Sequence, residues 1–251
     1  MSKTLLEITQ EILSVMTSDE VNSISDSAEA ESVANIVIAK FEAMVSNRNW
    51  PHLKKLLKLE AYGDNTKPTH IKLPSNVKEL VLINYNKSKL GDERLRYDDV
   101  KWKDQDAFLR LTNNRNSTSD TIQTVTDPTG IKLLISTNKQ PEFFTSFDDE
   151  TIIMDSFDSE VDDTIHISKI QAYGYVMPTT SFEDGWVPDL PEEAFRALIE
   201  EAKSTARFQL DTVNDIKAEQ EATRQNRWLS RKSWSVNGGI KYPNYGRKRG
   251  R

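Results

Sequence analysis

The chain of 251 residues carries 33 Lys and Arg against 39 Asp and Glu, a net charge of −6, and it contains no cysteine. The lack of cysteine excludes disulfides, thiol catalysis and thiolate metal sites, and it is typical of a reducing compartment. No apolar run approaches the ~18 residues of a membrane-spanning helix, so none is predicted. The length suits one large domain or two small ones, with ample chain to bury a core.

Two amphipathic helices are predicted at the N-terminal end. The first covers residues 4–16 and the second runs to about Asn47, because apolar side chains recur at helical spacing in both stretches. Asp26, followed three residues later by Glu29, resembles a capping box at the start of the second helix. Pro51 is expected to end it, since the residue before a proline avoids the helical region.

The middle of the chain is rich in strand signals. Strands are predicted at residues 69–73, 80–85, 121–126, 131–137, 141–147 and 151–157. The turn Asp127-Pro128-Thr129-Gly130 predicts a hairpin, because proline fixes φ and glycine accepts positive φ. Residues 164–177 are predicted to form two alternating runs separated by a bulge near Lys169. Residues 53–59 suit either strand or helix, and a small helix is predicted at 105–111.

A single long helix is predicted from Leu190 to about Arg231. Its apolar residues recur at spacings of three and four, namely Phe195, Leu198, Ile199, Ala202, Ala206, Leu210 and Val213. An unbroken helix would be about 60 Å long, more than a domain of this size needs, so we expect part of it to contact another chain. Residues 211–215 are poor helix formers and mark the expected point for a bend or a stop.

Helices at both ends and strands in the middle predict an α+β protein. We expect a helical bundle body built from residues 1–60 and 189–234, including the long C-terminal helix. An inserted antiparallel β-domain would occupy residues 61–188. An extended basic C-terminal tail, residues 235–251, would follow as an arm.

Few residues suggest catalysis or metal binding. The histidines His52, His70 and His166 lack a second ligand at zinc-site spacing, and no glycine-rich phosphate loop is present. The best candidate is an acidic run comprising Asp148, Asp149, Glu150, Asp155, Asp158, Glu160, Asp162 and Asp163. We interpret this run as solvated loops joining strands. A weak Ca²⁺ site and the paired carboxylates of a hydrolase are the alternatives.

The C-terminal end is strongly basic. Residues 224–251 contain no acid and nine cations, which are Arg224, Arg227, Arg231, Lys232, Lys241, Arg247, Lys248, Arg249 and Arg251. The first 223 residues therefore carry a net charge of −15, an asymmetry typical of an interaction tail. Four aromatic residues interleave with these cations, Trp228, Trp234, Tyr242 and Tyr245. This pattern favours a protein partner, with DNA binding as the alternative.

A series of motifs in this order resembles a known family. The motifs are Asn49-Trp50-Pro51, Pro68-Thr69-His70-Ile71-Lys72-Leu73-Pro74, the run from Pro141 to Glu150, Asp155-Ser156-Phe157-Asp158, Asp189-Leu190-Pro191, Glu201-Ala202-Lys203-Ser204 and Glu219-Gln220-Glu221-Ala222. Together they resemble the head-to-tail adaptors of short-tailed bacteriophages, the tail tubular protein A family. The resemblance covers roughly residues 20–235 and leaves out the first helix and the last fifteen residues.

The resemblance implies a structural virion protein without enzymatic activity or cofactor, assembled in the host cytoplasm. It implies a ring, usually of twelve copies, at the head–tail junction between the portal protein and the tail nozzle protein. A helical bundle would form the ring wall, and a β-domain would face the nozzle. Genomic DNA would pass through the channel without sequence-specific binding, and no membrane would be involved.

Two site hypotheses follow from combining the resemblance with the charge pattern. The portal-binding arm would be Arg224 to Arg251, largely unstructured until it binds. Its contact residues would be Arg224, Arg227, Trp228, Arg231, Lys232, Trp234, Tyr242, Tyr245, Arg247, Lys248, Arg249 and Arg251. The acids Asp148, Asp149, Glu150, Asp155, Asp158, Asp162 and Asp163 would face the nozzle or line the lumen, where they would repel phosphates.

Overall fold

The chain folds as a mixed α+β protein, as its pattern predicts. The computed structural model describes residues 2–16, 20–88, 94–127, 129–161, 164–210 and 215–236, with side chains described as far as Leu229. It divides into two compact units, Met1–Leu53 together with Met177–Arg251, and Lys54–Val176. We call them the helical unit and the β unit. No described helix combines the length and hydropathy that crossing a bilayer requires.

The secondary structure follows the predicted order, apart from strands at Glu60–Ala61 and Tyr97–Trp102, which the sequence pattern did not predict. The helices are α1 Leu5–Val15, α2 Ala28–Asn47, α3 Gln105–Asn113, α4 Glu192–Leu210 and α5 Ile216–Val236. The strands are β1 Lys54–Leu57, β2 Glu60–Ala61, β3 His70–Lys72, β4 Val77–Asn86, β5 Tyr97–Trp102, β6 Ile122–Thr126, β7 Lys132–Ser136, β8 Phe143–Ser146, β9 Thr151–Met154 and β10 Ile170–Val176. Short 3₁₀ turns cover Pro51–Leu53 and Ile167–Lys169.

The helical unit buries the apolar stripes of its helices against one another. Helix α2 packs against α1 and α4, and α4 packs against α5. The predicted faces of α1, α2 and α4 are confirmed, because their core includes Leu5, Ile8, Ile12, Val33, Val37, Phe41, Phe195, Leu198 and Ile199. Trp186, which precedes α4, meets Phe41 edge to face at 5.2 Å between ring centroids.

The cap of α2 differs from the predicted capping box. Ser27 is the N-cap, and its hydroxyl accepts a hydrogen bond from the backbone N–H of Ala30. The carboxylate of Asp26 instead accepts from the N–H groups of Asn22 and Ser23, in the turn before the helix. The prediction placed the cap one residue too early, because Asp and Ser are both good caps and stand side by side.

The prediction of a single long C-terminal helix is wrong, and the poor helix formers at residues 211–215 explain why. Helix α4 ends at Leu210, and α5 begins at Ile216. Asp215 starts the second helix by accepting a hydrogen bond from the N–H of Ala218. Its carboxylate also accepts a bond from Arg207 at 2.6 Å, which ties the start of α5 to the last turn of α4. The bonds from Ala218 and Arg207 hold the pKa of Asp215 below its ordinary value.

The β unit contains an eight-stranded sheet in the order β1-β10-β4-β5-β8-β9-β3-β2. Its neighbours are antiparallel except β5 and β8, which run parallel. Strands β6 and β7 form the predicted hairpin, and Gly130 takes φ +85° at its turn. The core of the unit is apolar and includes Ile71, Ile83, Tyr85, Val100, Phe108, Leu133, Ile135, Ile153 and Met154.

The last strand of the β unit is shorter than predicted. Residues 167–169 form a 3₁₀ turn instead of a strand run, and β10 starts at Ile170. The irregularities lie inside β10, between Tyr173 and Gly174 and between Tyr175 and Val176, instead of near Lys169. Gly174 is required at the first of them, because a Cβ there would lie 2.2 Å from the carbonyl oxygen of Glu79.

Candidate interaction and acidic sites

Asp155, from the acidic run, is a buried structural residue. Its side chain has no exposed surface, and Oδ2 accepts a hydrogen bond from Arg115 Nη2 at 2.8 Å. Its Oδ1 accepts the backbone N–H groups of Glu142 and Phe143, each at 3.0 Å. Arg115 also donates to the carbonyl oxygen of Leu134. The expectation that Asp155 faces a nozzle or a lumen is therefore wrong, because these bonds hold it inside the β unit.

Asp148, Asp149 and Glu150 form the turn between β8 and β9. The Asp148 carboxylate accepts hydrogen bonds from the N–H groups of Glu150 at 3.0 Å and Thr151 at 2.7 Å. Partial burial raises the pKa of Asp148, but the bonds from Thr151 and Glu150 outweigh it and hold that pKa below its ordinary value. Asp149 takes φ +59°, a left-handed conformation that Asp tolerates better than most residues.

The rest of the acidic run does not converge on a site. Asp158 accepts a bond from the N–H of Glu160, which closes a local turn, and another from the side chain of Gln140, eighteen positions earlier in the chain. Asp162 and Asp163 lie outside the described residues. Within the described part of the chain, no three His, Asp or Glu side chains come together as metal ligands. A general acid needs a raised pKa, and the resolved shift at Asp148 goes the other way.

His70 is the one histidine enclosed by the β unit, where it lies on β3. Its Nε2 is 3.4 Å from Oδ1 of Asp127, but the geometry does not make a hydrogen bond. The ring of Tyr62 meets it edge to face at 5.5 Å. Burial lowers the pKa of His70, although the nearby Asp127 carboxylate opposes that shift. Of the other two, His52 contacts Asp189 of the helical unit, and His166 is exposed.

Helix α5 presents a face that its own unit leaves exposed. Its inner side is narrow, with Ala218, Ala222 and Leu229 buried. The α5 outer face, as we name it, consists of Ile216, Glu219, Gln220, Thr223, Arg224, Arg227 and Trp228. Ile216 is 58% exposed and Trp228 is 47% exposed, so a large apolar residue lies near each end of this stripe. Arg224 contacts Glu221 at 3.5 Å and remains largely exposed.

The structure corrects part of the predicted arm. Residues 224–234 were predicted both as part of the helical body and as the start of a largely unstructured arm, and the structure continues α5 as helix through Val236. Residues Arg231, Lys232 and Trp234 therefore lie on this helix. The remaining contact residues, Tyr242, Tyr245, Arg247, Lys248, Arg249 and Arg251, lie outside the described part.

Sequence reasoning missed two features that bear on the candidate sites. The first is Arg115, which sits in a polar loop stretch and is forty positions from Asp155, its partner. No local pattern marks such a pair. The second is a fork in the large sheet, where β5 pairs first with β4 and then with β8, which depends on strand order. Compared with known proteins, the chain matches no protein-family model and no curated protein at a significant level.

Proposed function

We propose that this chain is a structural connector in a short-tailed bacteriophage. It acts as a head-to-tail adaptor that forms a closed ring of about twelve copies between the portal protein and the tail nozzle. The ring extends the DNA channel for genome retention and ejection. The observation that carries the proposal is the α5 outer face, which combines arginines and a half-exposed tryptophan on a helix that leads into the basic C-terminal end.

The α5 outer face is suited to a protein partner. The core of the helical unit includes residues of α1, α2 and α4, and among the α5 side chains that the structure describes, residues 216–229, it includes Ala218, Ala222 and Leu229. The outer residues therefore contribute little to packing within the unit. Trp and Arg are the residues that most often anchor protein interfaces, since they bury large areas and make directed contacts. We assign Arg224, Arg227 and Trp228 to the portal contact.

The finer arrangement belongs to the same proposal. The helical unit acts as the bundle that forms the ring wall, and the β unit acts as an inserted domain that carries the nozzle-facing loops. Asp149 and Glu150, both exposed at the β8–β9 turn, are the described acids best placed to face a partner or the channel. Carboxylates there would weaken DNA binding, because they repel phosphates instead of releasing counterions.

The experiment is a mass measurement of the purified chain, alone and mixed with a portal ring. We expect a complex with a fixed multiple of about twelve copies, in keeping with a closed cyclic assembly. The triple variant Arg224→Ala, Arg227→Ala, Trp228→Ala should weaken portal binding at least about tenfold, as truncation of interface anchors does. A second variant ends after Val236, so that α5 stays whole, and should also lose binding.

The matched control removes an exposed cation and an exposed large apolar side chain from the β unit. Arg110 on α3 and Ile131 at the β6–β7 turn are both exposed, so Arg110→Ala with Ile131→Ala tests whether loss of any such pair suffices. This control should bind the portal normally. A monomer that ignores the portal under all conditions would refute the adaptor function. A complex that survives both the triple variant and the truncation after Val236 would refute the assignment of the portal contact.

A further inference from the structure

The large sheet opens into a fork beside β4. Strand β5 pairs with residues 83–86 of β4 through its own residues 97–100. It then joins β8 in parallel through residues 101–102. Leu80 and Leu82 of β4 pair with β10 along one edge, while Val81 is the extra residue at the irregularity between Tyr173 and Gly174. No strand in the described part of the chain pairs with the other edge of residues 80–82. The sheet therefore has an internal edge as well as its two outer ones.

A cleft of about 630 Å³ lies in this fork. It runs along residues 77–83 of β4, and we call it the fork groove. Its apolar lining includes Leu80, Val81, Leu82, Trp102, Phe144 and Ile152. Trp102 is 51% exposed and meets Phe144 edge to face at 5.3 Å, and Val81 is 39% exposed. Apolar surface held open to solvent between strands commonly marks a binding groove.

The backbone groups of β4 and β5 along the fork groove favour an extended ligand. Lys101 and Lys103 donate their N–H groups to Glu142 and Phe144 on the β8 side. Successive residues of a strand direct these groups to opposite edges, so the N–H and C=O of Trp102 point away from β8, toward the groove. A wall made of strand edges is complementary to another strand, because an extended backbone supplies donors and acceptors at matching intervals.

The charges of the fork groove argue against a nucleic acid. Glu79, Asp99 and Asp149 line it together with Lys78 and Lys101, which leaves a net charge of −1. Nucleic-acid binding relies on neutralising phosphates with cations, and this lining supplies too few of them. The apolar lining instead suits a segment whose side chains on one face are apolar.

The exposed edges of a second copy fit the fork groove poorly. The outer edges of the large sheet are β1 and β2, of four and two residues, and the hairpin strands β6 and β7 have five residues each. All four are shorter than the seven positions of β4 that line the groove. Each is also fixed to a neighbouring strand, so it cannot enter a cleft that is walled on both sides.

We propose that the fork groove binds an extended segment of another protein, with apolar side chains at alternate positions, which adds as a strand along residues 80–82 of β4. The added strand buries Val81 and Trp102 and extends hydrogen bonding across the fork. This inference stands on the β unit alone and does not depend on the adaptor function.

The test uses the full chain and a synthetic probe. The probe is a blocked heptapeptide of alternating valine and threonine, and its counterpart carries N-methyl groups on alternate amides, which removes the donors of one edge. Hydrogen exchange and binding are measured with each. We expect the first peptide to slow amide exchange at residues 80–82 and the N-methylated one to bind at least about tenfold more weakly.

Variants locate the peptide. Val81→Lys places a charge in the groove and Trp102→Ala removes its aromatic wall, so each should weaken binding of the peptide about tenfold. Ile131→Lys is the control, since Ile131 is 60% exposed at the β6–β7 turn, outside the groove. The unfolding temperature of each variant is checked first, and Val81→Lys suffices if Trp102→Ala unfolds.

Three results would overturn the proposal. One is equal binding of the N-methylated peptide, which would make the groove an apolar pocket without strand addition. Another is protection at β1 or β2 in place of residues 80–82, or no binding at all. The third is slowed exchange at residues 80–82 as the concentration of the chain alone is raised, which would make a second copy the occupant.

Discussion

Replacing Asp155 with asparagine tests whether one buried ion pair holds the β unit together. The substitution keeps the size of the side chain and the Oδ1 that accepts from Glu142 and Phe143. It replaces Oδ2, which accepts from Arg115 at 2.8 Å, with an amide that can only donate. The guanidinium would then be left without its carboxylate, and its side chain is only 11% exposed.

The expected loss is large relative to the stability of a domain. Breaking a buried ion pair by removing one partner costs about 3–5 kcal/mol, because the other charge stays buried and uncompensated. A domain has roughly 5–15 kcal/mol in total, so the loss is a third or more of that stability in most cases. With each kcal/mol worth about 2–4 °C, the unfolding temperature of the β unit should fall by roughly 6–20 °C.

Calorimetry of the full chain at neutral pH measures this change. The control is Asp106→Asn, which breaks the exposed i,i+4 pair with Arg110 and should change the free energy of unfolding by no more than about 0.5 kcal/mol. The double variant Arg115→Met with Asp155→Asn should lose less than the sum of the single losses. A loss below about 1 kcal/mol for Asp155→Asn would refute the reasoning, because such a value is typical of a solvated pair.

Two further predictions concern the β unit. Burial lowers the pKa of His70 in the folded state, and the positive charge of Lys67 lowers it further, whereas Asp127 and Asp148 raise it. Because the unfolded chain then binds a proton at His70 more readily than the folded chain, the β unit should lose stability as pH falls through about 6.5. Urea unfolding across this range should show this pH dependence of the free energy of unfolding in the native chain and in the control His166→Gln, where an exposed histidine is replaced, but not in His70→Gln. The same pH dependence in His70→Gln would contradict the prediction. Gly174→Ala should destabilise the β10–β4 pairing by roughly 1–3 kcal/mol, because its Cβ would meet the carbonyl of Glu79, whereas Gly185→Ala has open space and should unfold at the native temperature. Equal unfolding temperatures for the two glycine variants would show that the strand shifts without cost.

The elements that sequence reasoning located are those whose signals are local. The β6–β7 hairpin was predicted from its turn residues, and Gly130 takes the positive φ that the turn requires. The faces of α1 and α2 were predicted because buried positions recur every three or four residues. The break between α4 and α5 was predicted only as a weak point, since propensity marks poor helix formers without deciding whether tertiary contacts override them.

The features that carry the site arguments depend on distant contacts. Asp155 looked like a member of an acidic surface run, and only its pairing with Arg115, forty positions away, makes it a core residue. The fork groove exists because β5 pairs first with β4 and then with β8. Strands β5 and β8 are not consecutive in the chain. Neither hydropathy nor local periodicity specifies which strands become neighbours, so neither feature was accessible from the sequence.

The pairing of β1 with β10 has a consequence for how the chain folds. The β unit begins at Lys54 and ends at Val176, and Lys54 lies opposite Tyr175 in the antiparallel register. Paired strands hold such residues about 5 Å apart, so the folded β unit keeps its two ends, and the chain segments attached to them, close together. Unfolded, the same segment is a loop of roughly 120 residues, whose closure entropy opposes the meeting of α2 and α4. We therefore expect the β unit to fold first and speed the closing of the helical unit. A short turn in its place should let residues 1–53 and 177–251 fold without it.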